Sequence, residues 1–329
     1  MTTSAVRTRA WRDGKVLAED FPFDQVSDYV DAGDCLVWAD VCAPDAEVLA
    51  SLADELGLDP HAVEDAAARD ERPKAARYPT HTFVTTDALR REPGAGQVLA
   101  THVSVFATKR AFVTVRLDDG FDIERVVRRW DDNAELLRYG PRALMHGFLD
   151  VLVDDYFETL QGLDDEVESL EDALFDETPS TGRQVQKQTF DTRKSLARVR
   201  RAVGPMREVV NTVARRATEP DDSGELVPYF EDLYDHVLRA ADWGDSLRDM
   251  IASVHETTMA LADNRMNQIM KQLTAWAAII AVPTAITGYF GQNVPYPGFG
   301  RPWGFALSTV AIVVIAAVLY RMFKRKDWL

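Results

Sequence analysis

Basic residues are scarce relative to acidic ones in this 329-residue sequence. It contains 37 Lys and Arg against 53 Asp and Glu, which gives a formal net charge of -16 and a pI of about 4.8. Surfaces that bind nucleic acid need positive charge to contact phosphates, so this balance argues against nucleic acid as a partner. The excess of carboxylates is compatible with divalent cations as ligands, although solubility alone also accounts for it.

Cysteine and histidine are also rare, and the motifs of common enzyme classes are missing. Cys35 and Cys42 form no CxxC pair and the six histidines are scattered, so neither a zinc cluster nor a disulfide framework is expected. There is no glycine-rich phosphate loop, and His255-Glu256 lacks the second histidine of a zinc-protease motif. We therefore expect no enzymatic activity and no organic cofactor.

The start of the sequence lacks the apolar core of a secretion signal. Residues 1–13 are polar and include several arginines. Export signals need a continuous apolar segment behind a short basic stretch. We therefore expect the chain up to about residue 260 to stay in the cytoplasm.

Residues 1–140 combine strand and helix patterns and predict a cytoplasmic α/β domain. Apolar, β-branched runs predict strands at 35–41, 81–88, 99–108 and 111–116, with a further short strand near 15–18. Amphipathic spacing predicts helices at 45–56, 61–68 and 121–133. A tight turn is predicted at Lys109-Arg110 and a looser one at 92–96.

A helical hairpin is predicted over residues 141–217. Its first helix, 143–175, has a very acidic polar face, and its second, 183–216, is basic, with a break predicted at 179–182. Opposite charge on two helices joined by a short loop predicts an antiparallel pair with complementary charge. The alternative, that the acidic face binds divalent cations, requires carboxylates to converge, which one helix face does not achieve.

Two runs near the C-terminus, 272–290 and 303–320, contain no charged residue. Both are close to the roughly 20 residues that a helix needs to cross a bilayer. The first run continues a helical pattern, so we expect a stalk helix over 226–290 that becomes the first transmembrane helix. An outer loop is expected at 291–302, a second transmembrane helix at 303–322 and a basic cytoplasmic tail at 323–329. The alternative of two buried core helices is disfavoured because the second run is apolar on all sides.

The charges that flank these runs predict the orientation in the membrane. Arg265 and Lys271 precede the first run, several basic residues follow the second, and the connecting loop holds only Arg301. The positive-inside rule then places both termini in the cytoplasm. We expect a multi-pass protein of the cytoplasmic (inner) membrane with the lipid bilayer as a partner.

The first run differs from the second because small and hydroxyl residues recur along it at helical spacing. The stripe comprises Asn267, Met270, Thr274, Ala277, Ala281, Thr284 and Gly288. One such helix cannot enclose a pore, but several copies around a symmetry axis can, so a conducting function implies a homo-oligomer. A path of amide, hydroxyl and carbonyl groups suits an ion that keeps its water, and Mg²⁺ dehydrates reluctantly.

The triplet Gly291-Gln292-Asn293 directly follows the first run, and the chain ends in a basic tail with the sequence Lys-Asp-Trp-Leu. A Gly-x-Asn triplet by itself carries no specificity, but its position between two C-terminal spans does. This arrangement resembles the CorA family of divalent-cation channels. Segments 72–74, 152–157, 205–209 and 228–236 are also similar to the family, so the resemblance covers about residues 60–329.

The resemblance implies a funnel-shaped homopentamer with a cytoplasmic α/β/α domain, long helices and two C-terminal transmembrane helices, an α+β fold. It implies that Asn293 forms a ring at the outer mouth that holds a hydrated cation, with Gly291 in the turn. It also implies an inner constriction lined by Met270, Leu273, Thr274 and Ala277, with Asn267 just below. Regulatory Mg²⁺ would bind carboxylates between subunits, with Asp232 as one ligand and Asp87 as its partner in the N-terminal domain.

Three departures from the family pattern bear on the function. Gln292 stands where Met is commonest, Ala281 replaces a bulkier gate residue, and the loop 294–302 has no acidic residue. The sequence predicts a homopentameric channel for Mg²⁺ influx that is gated by cytosolic Mg²⁺. The alternatives are transport of Zn²⁺, Co²⁺ or Ni²⁺, with or without proton coupling, and a membrane-anchored scaffold that does not conduct.

Overall fold

The structure, a computed structural model, describes residues 5–69, 71–92, 97–174, 179–216, 224–292 and 294–329. It divides into two compact units, Met1–Val254 and His255–Leu329.

A seven-stranded mixed sheet organises the first unit. Its strands are β1 (Ala5–Arg12), β2 (Lys15–Glu19), β3 (Leu36–Cys42), β4 (Lys74–Arg77), β5 (Thr82–Arg91), β6 (Val98–Ala107) and β7 (Ala111–Arg116), in the order β2-β1-β3-β7-β6-β5-β4. The central strands β3 and β7 are parallel, and the other neighbouring pairs of these strands are antiparallel. The predicted mixture of strands and helices is confirmed.

Helices cover both faces of the sheet. On one face lie α1 (Val26–Asp31), α2 (Ala46–Leu56) and α3 (Pro60–Ala67), which contribute to the same apolar core as Val37 and Ala39 of β3. On the other lie α4 (Ile123–Asp132), α5 (Pro141–Ala173), α6 (Pro179–Arg216) and the first part of α7 (Val227–Phe290), with Leu36 and Trp38 of β3. Because side chains alternate along a strand, β3 serves both cores.

Strand β1 was not predicted because two arginines interrupt its apolar alternation. Arg7 pairs with Glu124, and Nη1 of Arg9 lies 2.9 Å from Oδ1 of Asp131. Both acidic partners belong to α4, which therefore neutralises charges that the sequence pattern alone would assign to solvent. The short edge strand β4 was also missed, whereas the other predicted strands and helices of this domain are confirmed to within a few residues.

The predicted tight turn at Lys109-Arg110 is confirmed by the hydrogen bond from the Thr108 amide to the Ala111 carbonyl, at 2.8 Å. Thr108 also accepts the Ala111 amide on its hydroxyl. Most of the looser turn predicted at 92–96 lies outside the described residues.

Trp130 of α4 joins the sheet to α5. Its ring makes edge contacts with Trp38, Phe112 and Trp11 at centroid distances of 5.3, 5.7 and 6.1 Å. The indole Nε1 donates to the Leu144 carbonyl of α5 at 3.0 Å. A side chain at Gly147 would place its Cβ 2.7 Å from the same ring. The two helices can therefore approach this closely only because residue 147 is glycine.

Several carboxylates on the acidic face of α5 pair with cations of α4 and β5. Arg125 of α4 pairs with Asp155, Arg129 pairs with Asp150 and Asp154, and Arg91 of β5 lies 3.2 Å from Glu166. The contact between α5 and α6 is mainly apolar, within the core that also includes α4 and α7, and the Thr192 hydroxyl of α6 donates to Glu166 at 2.8 Å. The prediction of an α5–α6 pair with complementary charge was therefore wrong in its partner, since α4 and β5 supply these cations.

The predicted break at 179–182 was also wrong, because α6 begins at Pro179. Proline is well suited to the first position of a helix, since the amide hydrogen that it lacks has no partner there. A proline in the sequence can therefore start a helix as readily as end one.

In the second unit, α7 continues through Pro283 to Phe290, and α8 (Pro302–Arg325) follows the loop. Both helices are long and apolar enough to cross a membrane, and only 6% of the apolar window of each is buried. A buried core helix would show the opposite, so the alternative of two core helices is not supported. The predicted long helix from residue 226 to 290 agrees with the bounds of α7.

Burial gives Asp155 a distinctive dependence on pH. Its side chain is 9% exposed, and this burial raises its pKa to about 6 from an ordinary 3.8, against the opposing effect of Arg125. The neutral form is thus favoured in the fold. Its contribution to stability is full below pH 3.8 and is lost as the pH rises through about 6.

We therefore expect Asp155→Asn to gain stability relative to the wild type between pH 4 and pH 7, as apparent Tm in detergent will show. The gain in the free energy of unfolding is a few kcal/mol at most, on the order of 1.4 kcal/mol per pH unit. Asp164→Asn, on the same helix, is the control. If the difference in Tm falls with rising pH, the ion pair with Arg125 outweighs burial.

Candidate ion pathway and cation-sensing residues

The predicted pore stripe lies on one exposed face of α7. Its seven members and Leu273 of the predicted inner constriction are all exposed in the single chain; the seven are Asn267, Met270, Thr274, Ala277, Ala281, Thr284 and Gly288. At about 100° per residue they fall within one sector of the helix. In the part of the chain that the structure describes, this face is thus exposed.

The opposite face of α7 is the one that is covered. Ala275 is buried, and Ala278, Val282 and Ile286 are partly buried at the spacing of one helix face. On α8 the less exposed positions recur similarly, at Gly304, Ser308, Ala311, Ile312, Ala316, Leu319 and Phe323. The two helices therefore each have one covered face, and on α7 it is centred roughly 120° from the stripe.

Threonine hydroxyls give the exposed stripe its oxygen chemistry. The hydroxyls of Thr274 and Thr284 donate to the carbonyls of Met270 and Ile280, at 2.7 and 3.0 Å. Because each hydroxyl hydrogen is used inside the helix, the oxygen lone pairs point outward as acceptors. Acceptor oxygens match the outward-facing hydrogens of a hydrated cation.

Gly291 ends α7 through a close approach and not through a left-handed backbone. Its amide donates to the Thr287 carbonyl at 2.8 Å, and a Cβ on residue 291 would lie 2.8 Å from the same oxygen. The predicted role of Gly291 in the turn thus has a specific steric cause. Gln292 follows as an exposed residue, and Asn293 lies outside the described residues.

Asp232 lies near the start of α7 with its side chain 72% exposed. It lines a cavity of about 580 Å³ together with Asp150, Asp154 and His236, and with Arg129. Nε2 of His236 is 3.8 Å from the Asp232 carboxylate. This lining includes two pairs with i, i+4 spacing, 150/154 and 232/236. That spacing is the sequence signal that could have identified the cavity.

A neutral histidine also lines this cavity. Burial lowers the pKa of His146, which also contacts the Tyr229 carbonyl at 3.2 Å. Arg129 is shared by the two α5 carboxylates, so the Asp232 side chain is the exposed anion of the cavity. The cavity can therefore attract cations mainly through the Asp232 carboxylate of α7.

Asp87 does not join Asp232 at this cavity. It lies on β5, where its carboxylate is 3.2 Å from Nδ1 of His102 and its carbonyl accepts a hydrogen bond from Tyr156. His102 in turn contacts Thr85 at 2.7 Å. In the part of the chain that the structure describes, no group of three or more His, Cys, Asp or Glu side chains is arranged to hold a metal ion.

A soluble α/β domain followed by long helices and two apolar C-terminal helices is the architecture of a membrane transporter with a large soluble domain. The family described as "CorA-like Mg2+ transporter protein" matches residues 33–325. The chain belongs to this family, which transports Mg²⁺ and is a transporter family, not a family of enzymes.

Known relatives and structures agree with this assignment. The cobalt/magnesium transport protein CorA of Thermotoga maritima is 29% identical over 86% of this chain and 80% of its own length. A putative metal ion transporter of Bacillus subtilis is 29% identical over 88% of this chain and 89% of its own. The CorA magnesium transporter of Methanocaldococcus jannaschii matches over 100% of both chains with a TM-score of 0.77 and 25% identity.

The close approach at Gly291 leads to a prediction. Gly291→Ala must open the last turn of α7, because its Cβ would meet the Thr287 carbonyl at 2.8 Å. We expect about a tenfold loss of Mg²⁺ uptake into proteoliposomes, since such overpacking costs about 1–3 kcal/mol. Gly204→Ala on α6, where a Cβ meets nothing within 4 Å, should behave like the wild type. Equal uptake by the two variants would contradict this steric role.

Proposed function

We propose that the chain forms a homopentameric channel that mediates Mg²⁺ influx across the cytoplasmic membrane, with both termini in the cytoplasm. The observation that carries this proposal is the exposed stripe on α7, which lies away from the face that is covered. A helix surface of small and hydroxyl residues that is uncovered in one chain fits contact with water and with other copies of the helix. Symmetry then places the stripes of all copies around one axis.

The chemistry of the stripe supports a hydrated cation. The stripe has no charged residue and offers threonine oxygens and the amide of Asn267. Such groups bind the water around an ion without replacing it, which suits Mg²⁺. Dehydrated Zn²⁺ prefers His and Cys ligands, which neither span contains.

The proposed gate lies at the inner end of the stripe. Met270 and Leu273 are large apolar side chains, 53% and 64% exposed, that would line a narrow section when several copies meet. A hydrophobic constriction stops ions when it is dry and conducts when it is wet. Together with Thr274 and Ala277, these two side chains form the proposed inner constriction, and the small Ala281 lies beyond it.

At the outer end, the proposed selectivity ring is formed by Asn293, with Gly291 and Gln292 before it in the sequence. An asparagine ring offers amide dipoles to an ion that retains its water. The relatives support this cargo: two of them are named cobalt/magnesium transport proteins. Gln292, where the family commonly has Met, makes Co²⁺, Ni²⁺ or Zn²⁺ the second candidate cargo.

The proposed regulator is Mg²⁺ bound between subunits at Asp232. This carboxylate is exposed in the single chain, and it lies on the same helix, α7, as the pore stripe. Binding of Mg²⁺ neutralises repulsion between copies of the carboxylate and so favours the closed state. Asp87 remains the proposed partner, although in one chain it contacts His102.

Asn293→Ala should abolish Mg²⁺ flux into proteoliposomes while the oligomer stays intact by size-exclusion chromatography, because the mouth loses its amide ring. Asn211→Ala, the same change on the exposed surface of α6, is the control. Unchanged flux in Asn293→Ala would contradict the selectivity role. No flux from the wild-type protein would favour the scaffold alternative, and a larger flux of Zn²⁺, Co²⁺ or Ni²⁺ in competition would favour the second cargo.

Asp232→Asn should weaken inhibition by Mg²⁺ on the cytoplasmic side, since the regulatory ion loses a charged ligand. We expect the inhibitory concentration to rise about tenfold, equivalent to about 1.4 kcal/mol of binding. Planar-bilayer currents with Mg²⁺ varied on each side separately measure this. Asp242→Asn, an exposed carboxylate on the same helix, should change nothing. An unaltered inhibitory concentration in Asp232→Asn would remove this residue from the regulatory site.

A further inference from the structure

Four aromatic residues cluster where α7 meets the loop to α8. The ring of Tyr296 lies 5.0 Å from Phe290 at 85°, 5.3 Å from Phe299 at 87°, and 6.3 Å from Tyr289. Edge contacts of this kind are favourable because the positive edge of one ring meets the negative face of another. Tyr296 is the member that contacts the other three, so it is the centre of the cluster.

Tyr296 also completes the end of α7. The last carbonyls of a helix have no partner within it and need one from elsewhere. The Thr287 and Tyr289 carbonyls accept the amides of Gly291 and Gln292, at 2.8 and 3.4 Å, and the Tyr296 hydroxyl donates to the Phe290 carbonyl at 3.0 Å. The Tyr296 side chain thus links residue 296 back to Phe290, the last residue of α7.

The far side of the loop is fixed to the same residue. The Phe299 amide donates to the Tyr296 carbonyl at 2.9 Å, and the Arg301 amide donates to the Gly298 carbonyl at 3.1 Å. Gly298 has a φ of +93°, and a Cβ there would lie 2.9 Å from the Trp303 ring. These contacts connect Tyr296, through Phe299 and Gly298, to Trp303 in the first turn of α8.

Burial distinguishes Tyr296 from its neighbours. Among the described residues of the segment 294–300, only Tyr296 and Gly298 are partly buried, and the rest are exposed. Val294 and Phe299 are 59% and 51% exposed. A tyrosine that covers its ring and pairs its hydroxyl in an otherwise exposed loop is placed to hold that loop.

We propose that Tyr296 is the positioning residue of the outer mouth: it holds the segment that carries Gly291-Gln292-Asn293 against the end of the pore helix. This inference rests on the proposed function of that triplet. An uncharged ring of amide groups selects a hydrated ion only when the amides are correctly spaced. It has no charge that would still attract the ion after the amides are displaced. Loss of the Tyr296 hydroxyl therefore weakens ion binding at the mouth without blocking the pore.

The test compares Tyr296→Phe with Tyr289→Phe in the full-length oligomer. Both changes remove one hydroxyl from the same cluster, but the Tyr289 side chain is 58% exposed and its hydroxyl makes no hydrogen bond to the described residues. Hydrogen exchange of the peptide spanning residues 290–300 measures the order of the loop. Initial rates of Mg²⁺ uptake into proteoliposomes give the half-saturating concentration and the maximal rate.

For Tyr296→Phe we expect about fivefold faster exchange in this peptide, the effect of one hydrogen bond. We expect the half-saturating Mg²⁺ concentration to rise by a similar factor, with a maximal rate within about twofold of the wild type. Tyr289→Phe should change neither quantity. Tyr296→Ala, which also removes the ring, should have a larger effect on both.

Three outcomes would overturn the inference. Unchanged exchange in Tyr296→Phe means that the hydroxyl does not order the loop. Faster exchange with unchanged half-saturation means that the order of the loop does not affect ion binding. Equal effects of Tyr289→Phe mean that the cluster responds to any loss of polarity.

Failure of the proposed function gives a different result. If Asn293→Ala conducts normally while Tyr296→Phe still raises both exchange and half-saturation, the asparagine ring is wrong and the positioning role of Tyr296 stands. If Asn293→Ala abolishes flux and Tyr296→Phe has no effect, the ring stands and the positioning role is wrong.

Discussion

A helix in hydrocarbon must satisfy every backbone N–H and C=O without help from water, and this constraint governs the second unit of the chain. The apolar part of α7 meets it without interruption, through Pro283, to Phe290. Proline removes one amide donor from the helix. The Thr287 hydroxyl donates to the Pro283 carbonyl at 2.8 Å, so side-chain donors supplement the backbone near this point. Thr284 of the exposed stripe makes the same kind of bond, to the Ile280 carbonyl at 3.0 Å, and leaves its oxygen lone pairs as acceptors on the stripe.

At the C-terminal end of α7, backbone carbonyls need partners from outside the helix, and the proposed outer mouth begins there. The carbonyls that α7 cannot pair internally accept amides from Gly291 and Gln292 and the hydroxyl of Tyr296. The residues that follow the pore helix are thus fixed by the need to satisfy its last turn. Gly291 and Gln292 are therefore explained by how α7 ends, separately from the ion binding that is proposed for the mouth.

Local pattern predicted most of the fold, and long-range pairing explains what it missed. The apolar runs of β3, β5, β6 and β7 are strong because both faces of these strands are covered. β1 was missed because Arg7 and Arg9 depend on carboxylates of α4 more than 110 residues away, at |i−j| of 117 and 122. The acidic face of α5 was assigned to α6 because α6 follows it in sequence, whereas its cations come from α4 and β5.

In the candidate site, too, the features set by local pattern could be predicted, whereas those set by long-range contacts could not. The stripe on α7 could be predicted because helical periodicity alone places its residues on one face. The surroundings of Asp87 could not, because its contact with His102 depends on the register of β5 with β6. The central place of Tyr296 also had no sequence signal, because it arises from a turn that brings residues 290, 296 and 299 together.

The packing of α7 in the first unit also sets the order of events during synthesis. Phe230, Val237, Leu247 and Val254 of α7 belong to the apolar core beneath the sheet. This core therefore stays incomplete until the ribosome has released the chain to about residue 254, since domains fold as their segments emerge. The first apolar run begins at residue 272, so it is already inside the ribosomal tunnel or leaving it at that moment. Completion of the soluble domain and capture of the first span by the membrane thus fall within the same few seconds of translation, at about 5–20 residues per second.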